Sequence, residues 1–158
     1  MISLDQADQG RRSSVAEAAA PQVPGIRVTR YKVILADDHV EILQRVEKLL
    51  APRFDVVEKC SESESVLEAV DRLQPDVVVL DISMPPGLSG IELARMIRRH
   101  NPKPKFVYLT QHEDAGLAQA VREDGGYAYV VKRRLATDLV PAILAVMQGE
   151  DFVSDLTS

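Results

Sequence analysis

The sequence predicts an α/β chain built on an open, doubly wound parallel sheet. From Tyr31 onward, short β-branched runs alternate five times with longer segments of helical period. Two of the runs, Val33-Ile34-Leu35 and Val77-Val78-Val79-Leu80, are apolar without alternation, as central strands are when helices cover both faces of a sheet. The pairs follow one another so closely that each crossover is short, and short β–α–β crossovers are right-handed.

In chain order, residues 1–30 mix Gln, Ser, Ala and Gly with Pro21 and Pro24, hold no aromatic residue and show no sustained period. They read as a disordered arm, in which Val15–Ala20 makes at most a passing helical turn for want of packing partners. The strands are expected at Lys32–Ala36, Asp55–Cys60, Val77–Leu80, Lys105–Leu109 and Tyr127–Val131. The helices are expected at Val40–Ala51, Ser63–Leu73, Gly90–His100, Asp114–Glu123 and Asp138–Gln148. Pro141 then falls in the first turn of the last helix, where a missing N–H is tolerated. The stripe Leu139, Ile143, Val146 and Met147 reads mainly as core. Residues 31–153 form the domain, and 154–158 a tail.

The composition suits one domain with tails: 158 residues, of which 46% are hydrophobic and 27% charged. Nineteen Lys and Arg against 24 Asp and Glu give a formal charge of −5, which argues against direct nucleic-acid binding by this stretch. A single cysteine, Cys60, supplies neither an internal disulfide nor a thiolate zinc site and reads as a small buried hydrophobe. No apolar run approaches the roughly 18 residues of a membrane span. The expectation is a soluble, cytoplasmic protein that does not enter a membrane.

In such sheets ligands bind beyond the carboxyl ends of the strands. The residues there are Asp37 and Asp38 after the first strand, Asp81 after the third, Thr110 after the fourth and Lys132 at the end of the fifth. Three carboxylates about 5 Å apart repel by about 3 kcal/mol per pair at an effective dielectric of about 20. A hard divalent cation offsets this well, because Mg²⁺ takes one or two carboxylates and favours a phosphate oxygen as a further ligand. Lys132 adds a compact positive charge suited to a phosphoryl oxygen. That set makes Asp81 a nucleophile for phosphoryl transfer, with catalysis resting on position and charge. Taken singly, each has a plainer reading: Asp38 as a helix cap, Thr110 likewise, and Lys132-Arg133-Arg134 as a solvated charge run. Their coincidence at one mouth weighs against it.

The text Val33-Ile34-Leu35-Ala36-Asp37-Asp38-His39, Pro75-Asp76-Val77-Val78-Val79-Leu80-Asp81-Ile82-Ser83-Met84-Pro85, Tyr108-Leu109-Thr110 and Tyr129-Val130-Val131-Lys132 resembles the receiver domains of two-component response regulators. The resemblance implies a five-stranded (βα)5 sheet of the flavodoxin-like, CheY-like kind with strand order 2-1-3-4-5. It implies that Asp81 accepts a phosphoryl group from a sensor histidine kinase or a histidine phosphotransfer protein. Mg²⁺ (or Mn²⁺) would be held by Asp38, Asp81 and the backbone carbonyl of Ser83, with Asp37 acting through a metal-bound water. Thr110 and Tyr129 would form the switch with Lys132. One hydrogen bond to a charged group is worth about 1.5–3 kcal/mol, enough to move a two-state ratio about 10- to 150-fold. The resemblance also implies no enzyme activity beyond self-phosphorylation and autodephosphorylation, and pairing with a second copy through the last helix on phosphorylation.

The Asp-Asp-His sequence and the closing segment from Leu139 to Ser154 are most similar to receivers of the NarL/LuxR-type branch. No helix-turn-helix segment follows before Ser158, so a single-domain regulator acting through protein contacts is the expectation, and the receiver portion of a longer transcription regulator the alternative. Three departures from the family pattern stand out. Ser89 stands where the family has glycine and Gly90 comes one later, as if Pro86 were inserted; Gln111 replaces a small residue; and Arg133, not proline, follows the lysine. Pro86 and Gln111 are thus expected modulators of rate, and the resemblance implies the same of Ser83 and His112, positions the family links to acyl-phosphate hydrolysis. His39 also lies near the mouth, but Mg²⁺ selects oxygen. A haloacid-dehalogenase-type phosphohydrolase would need an acid two residues after its nucleophile, where this chain has Ser83. A phosphorylation-independent binding module is the remaining alternative, and nucleotide binding is disfavoured because no Gly-rich loop follows the first strand.

Overall fold

The structure, a computed structural model, describes residues 30–84, 89–111, 119, 121 and 127–155. The chain runs β1 (Lys32–Ala36), α1 (Val40–Leu50), β2 (Asp55–Cys60), α2 (Ser63–Leu73), β3 (Val77–Asp81), α3 (Gly90–His100), β4 (Lys105–Thr110), β5 (Ala128–Val131), a 3₁₀ turn (Lys132–Arg134), α4 (Leu135–Met147) and β6 (Phe152–Val153). The helix expected at Asp114–Glu123 lies outside the described residues apart from Gln119 and Val121, both helical.

All neighbouring strands are parallel and the order is β2-β1-β3-β4-β5-β6. The expected five-stranded sheet is therefore corrected to six strands, in the expected order. The sixth, two residues long, pairs Phe152 with Ala128 and Val153 with Tyr129. So short a strand carries no readable period.

Alternation along the central strands sends side chains to two cores. Val33, Leu35, Val77, Val79, Val107, Leu109 and Val130 meet α1 and α4 on one face. Ile34, Val78, Leu80, Phe106, Tyr108 and Tyr129 meet α2 and α3 on the other. With both faces covered, every residue of β3 is buried, as the unbroken apolar run required.

The ends of the helices set the loops of the site. Helix α3 opens with a capping box, in which the Ser89 hydroxyl accepts from the Glu92 N–H and the Glu92 carboxylate accepts from the Ser89 N–H. Gly90, its first residue, touches the end of β3. Its N–H donates to the Ile82 carbonyl at 2.8 Å, and a Cβ there would press into the Asp81 carbonyl oxygen and the Ile82 Cα. Only glycine fits this approach.

The last helix departs from expectation. It starts at Leu135 rather than Asp138, and the 3₁₀ turn leads directly into it. Pro141 is consequently the seventh helical residue instead of a first-turn one, so the N–H that Thr137 would receive in an unbroken helix is missing. Arg134 at the cap position has no capping side-chain bond, which is why the sequence shows no start signal there. Gly149, at φ +82°, turns the chain out of α4 and lets Glu150 N–H reach the Ala145 carbonyl at 2.8 Å.

Candidate functional site

The carboxyl ends of β1, β3, β4 and β5 bring Asp37, Asp81, Thr110 and Lys132 to one edge of the sheet. All four are buried. Asp37 follows the last residue of β1, and its N–H continues the ladder by donating to the Cys60 carbonyl at 3.0 Å. Its Oδ1 accepts from the His39 N–H at 2.9 Å and lies 3.1 Å from His39 Nδ1. Its Oδ2 lies 2.7 Å from Lys132 Nζ. The same ammonium is 3.5 Å from Asp81 Oδ2, so one lysine stands between two aspartates contributed by different strands.

Asp81 ends β3, and its Oδ1 accepts the Ser83 N–H at 3.1 Å. Burial is the largest influence on its carboxyl, and the repulsion of Asp37 adds to it; together they push the pKa up to about 6 against the pull of Lys132 and the Ser83 N–H. Asp38 is the more open member, with 29% of its side chain exposed and its Oδ1 3.2 Å from His39 Nδ1.

Asp37, Asp38, His39 and Asp81 each offer one ligand atom, and these atoms lie within 4.8 Å of one another. Three carboxylates against one ammonium leave excess negative charge in a site where Asp37 and Asp81 are closed to water and Asp38 is partly open. Asp37 Oδ2 and Asp38 Oδ1 are moreover buried without a hydrogen bond of good geometry within the protein. Oxygen-rich, negatively charged and short of donors, this donor set suits a hard divalent cation.

Of the other residues singled out from the sequence, Thr110 ends β4 opposite Val131 and Tyr129 is fully buried in β5 opposite Tyr108. Ser83 and Gln111 are exposed at the edge. Pro86 and His112 lie outside the described residues. The glycine displaced by one position in sequence nonetheless makes close contact with the Asp81 backbone, since Gly90 is the residue packed there.

Sequence reasoning missed a second polar cluster beside Lys132. Asp138 in α4 accepts from Ser154 Oγ at 2.6 Å, from Arg134 Nε at 3.0 Å and from Thr137 Oγ1 at 3.0 Å. Its partners Arg134 and Thr137 lie before the helix start expected at Asp138, and Ser154 comes from beyond β6, so nothing in local sequence announces the cluster.

The family model of the response regulator receiver domain matches residues 33–144. The transcriptional regulatory protein DegU of Brevibacillus brevis is 29% identical over 130 residues, covering 81% of this chain and 55% of that protein. This chain thus spans little more than half the length of the curated relatives it matches. Among solved structures, the isolated receiver domain of RcsB from Salmonella enterica serovar Typhimurium, determined with the phosphomimetic BeF₃⁻, superposes with a TM-score of 0.75 at 29% identity, covering 81% of this chain and 96% of that one. A LuxR-family two-component response regulator from Aurantimonas sp. SI85-9A1 superposes with a TM-score of 0.74 at 28% identity, covering 80% and 91%. The family match runs from β1 into α4 and includes every strand that feeds the acidic mouth; the chain belongs to the response regulator receiver domain family, among relatives of the NarL/LuxR type.

Proposed function

We propose that Asp81 is the phosphoacceptor of this receiver, charged by a sensor histidine kinase or a histidine phosphotransfer protein. The observation that carries the reading is Lys132 Nζ lying 2.7 Å from Asp37 and 3.5 Å from Asp81. An ammonium so placed can leave the unmodified acids and follow the phosphoryl oxygens once Asp81 carries them.

One Asp81 oxygen attacks phosphorus in line while the bond from phosphorus to the donor's imidazole nitrogen breaks, and the imidazole leaves with that electron pair. The Ser83 N–H holds Oδ1 and so orients the nucleophile. Asp37, Asp38, Asp81 and the Ser83 carbonyl would hold Mg²⁺ or Mn²⁺, which when bound supplies charge neutralisation at the phosphoryl oxygens. Asp37 keeps Lys132 aimed at the site in the resting state. Thr110, beside Val131 at the same edge, donates its hydroxyl to a phosphoryl oxygen, and Tyr129 repacks in response. Residue 83 is no acid, which weighs against a phosphohydrolase with an acid two residues beyond its nucleophile.

The output is control of a protein partner or of an attached domain. The likeness to a transcriptional regulatory protein, over about half of its length, supports a receiver working in a LuxR-type regulator; pairing of two copies on phosphorylation belongs to the same reading. No helix of the described residues is long and apolar enough to cross a membrane, in keeping with work in the cytoplasm.

Incubation with Mg²⁺ and acetyl phosphate, followed by intact mass, tests the reading. One added phosphoryl group is expected on the wild type and none on Asp81→Asn. Equal labelling of both proteins, or of neither, overturns it.

A further inference from the structure

The backbone on either side of Lys132 is held through one hydroxyl and one carboxylate. On the upstream side, Ser154 grips β5 twice. Its N–H donates to the Tyr129 carbonyl at 2.9 Å, and its Oγ accepts the Val131 N–H at 3.1 Å. The second of these takes over where the β5–β6 ladder ends, a side chain replacing the next backbone carbonyl. Ser154 then donates its own hydroxyl proton to Asp138 Oδ2 at 2.6 Å. Downstream of Lys132, the same Asp138 oxygen accepts from Arg134 Nε at 3.0 Å. Val131, Ser154, Asp138 and Arg134 therefore close a loop of hydrogen bonds around the 3₁₀ turn that begins with Lys132.

The chemistry is specific to a hydroxyl. Ser154 is 2% exposed, and it must accept and donate at once to satisfy a strand N–H on one side and a carboxylate on the other, which a hydroxyl does and a methyl does not. Burial alone would raise the Asp138 carboxyl, but the hydrogen bonds from Ser154, Arg134 and Thr137 outweigh it and hold the acid below its usual range. It stays ionised and anchors both neighbours. Val131 is also the register partner of Thr110, so the residue Ser154 holds lies between the two side chains meant to meet the phosphoryl group.

We infer that Ser154 and Asp138 are positioning residues for Lys132: they fix the backbone from which the ammonium reaches the Asp37–Asp81 pair, and they tie the chain leaving β6 to the occupancy of that site. The inference rests on the phosphoacceptor reading. Outer partners that orient a group binding a metal or an anion are typically worth about 10- to 100-fold in affinity or activity, and coupling between the two places is reciprocal.

The test uses the full chain with Mg²⁺ and beryllofluoride, a phosphoryl mimic, followed by ¹⁹F NMR titration and amide hydrogen exchange. Ser154→Ala should weaken beryllofluoride binding about tenfold, whereas Ser154→Thr, which keeps the hydroxyl, should stay within about threefold of wild type. In the wild type, beryllofluoride should slow exchange of the Val131 and Ser154 amides, a measurement that stands even if Ser154→Ala fails to fold. A Ser154→Ala protein of lowered melting temperature but unchanged affinity would show a merely structural bond and overturn the inference, as would unchanged exchange at both amides in saturated wild type. If wild type shows no bound ¹⁹F signal at all, the phosphoacceptor reading itself falls and takes the inference with it, an outcome distinct from the other two.

Discussion

Asp81 and Asp138 are both buried aspartates near the carboxyl edge of the same sheet, yet their carboxyls are driven in opposite directions. Asp138 receives three side-chain donors from residues close by, and these outweigh its loss of water. Asp81 receives one backbone N–H, shares a lysine at 3.5 Å with a nearer rival, and faces Asp37. The same side chain is thus finished by the protein in one place and left short in the other. A carboxylate that serves the fold finds its donors within the fold; one that serves a ligand keeps part of its bonding capacity open and raises the energy of the empty protein.

Removing the satisfied acid should hurt most. Asp138→Ala leaves the Ser154 hydroxyl and the Arg134 guanidinium without their shared acceptor and is expected to cost about 3 kcal/mol in urea unfolding. A loss under about 0.5 kcal/mol, the ordinary range of a neutral surface change, would mean the cluster is ornamental. Gly90→Ala should follow at about 2 kcal/mol, because the added methyl has only backbone of Asp81 and Ile82 to push against; the same variant should also slow phosphorylation, since it shifts the proposed phosphoacceptor.

Asp81→Asn should have the opposite sign. By removing a charge that burial and Asp37 oppose, it is expected to stabilise the metal-free protein by about 1–2 kcal/mol at neutral pH, and a loss of stability would contradict the contrast drawn above. The pH dependence sharpens the point. The folded-state pKa of Asp81 is raised to about 6 from 3.8, so the folded state binds the proton more tightly than the unfolded state. The corresponding stability is present at the acid end and is lost as pH rises between these values. In the metal-free protein the wild type should therefore lose stability relative to Asp81→Asn across this window. Mg²⁺ should narrow the gap above pH 6 and do little below it, because protonation and the cation compete for the same carboxyl.

Much of this was legible from residue order. The limits of β1, β2, α2 and α3 agree residue for residue with the periodicity, because each is bounded by turn-forming or charged residues and buried on one or both faces. The residues gathered at the mouth were legible for a similar reason: in a parallel sheet every strand delivers its carboxyl end to the same edge, so naming the strands names the site. What escaped was set by contacts distant in sequence. Arg133-Arg134 gives no helix signal, and the helix after it has no side-chain cap to betray its start. Ser154 is one serine among several until β6 brings it to Val131. The resting pairing of Lys132 with Asp37 rather than midway between the acids is a matter of about an ångström, finer than any pattern of residue types can specify.

The two-residue β6 also settles how this sheet meets its surroundings. A strand with bare amides and carbonyls along its flank is a template for any other extended chain, including another molecule of the same protein. Phe152 and Val153 occupy that flank of β5 for two residues, and Ser154 takes its last free amide with a hydroxyl. A two-residue strand offers a foreign strand a far shorter ladder than a full-length edge would. The two edges of the sheet are thus unequal, a two-residue strand on the β5 side and the six-residue β2 on the other.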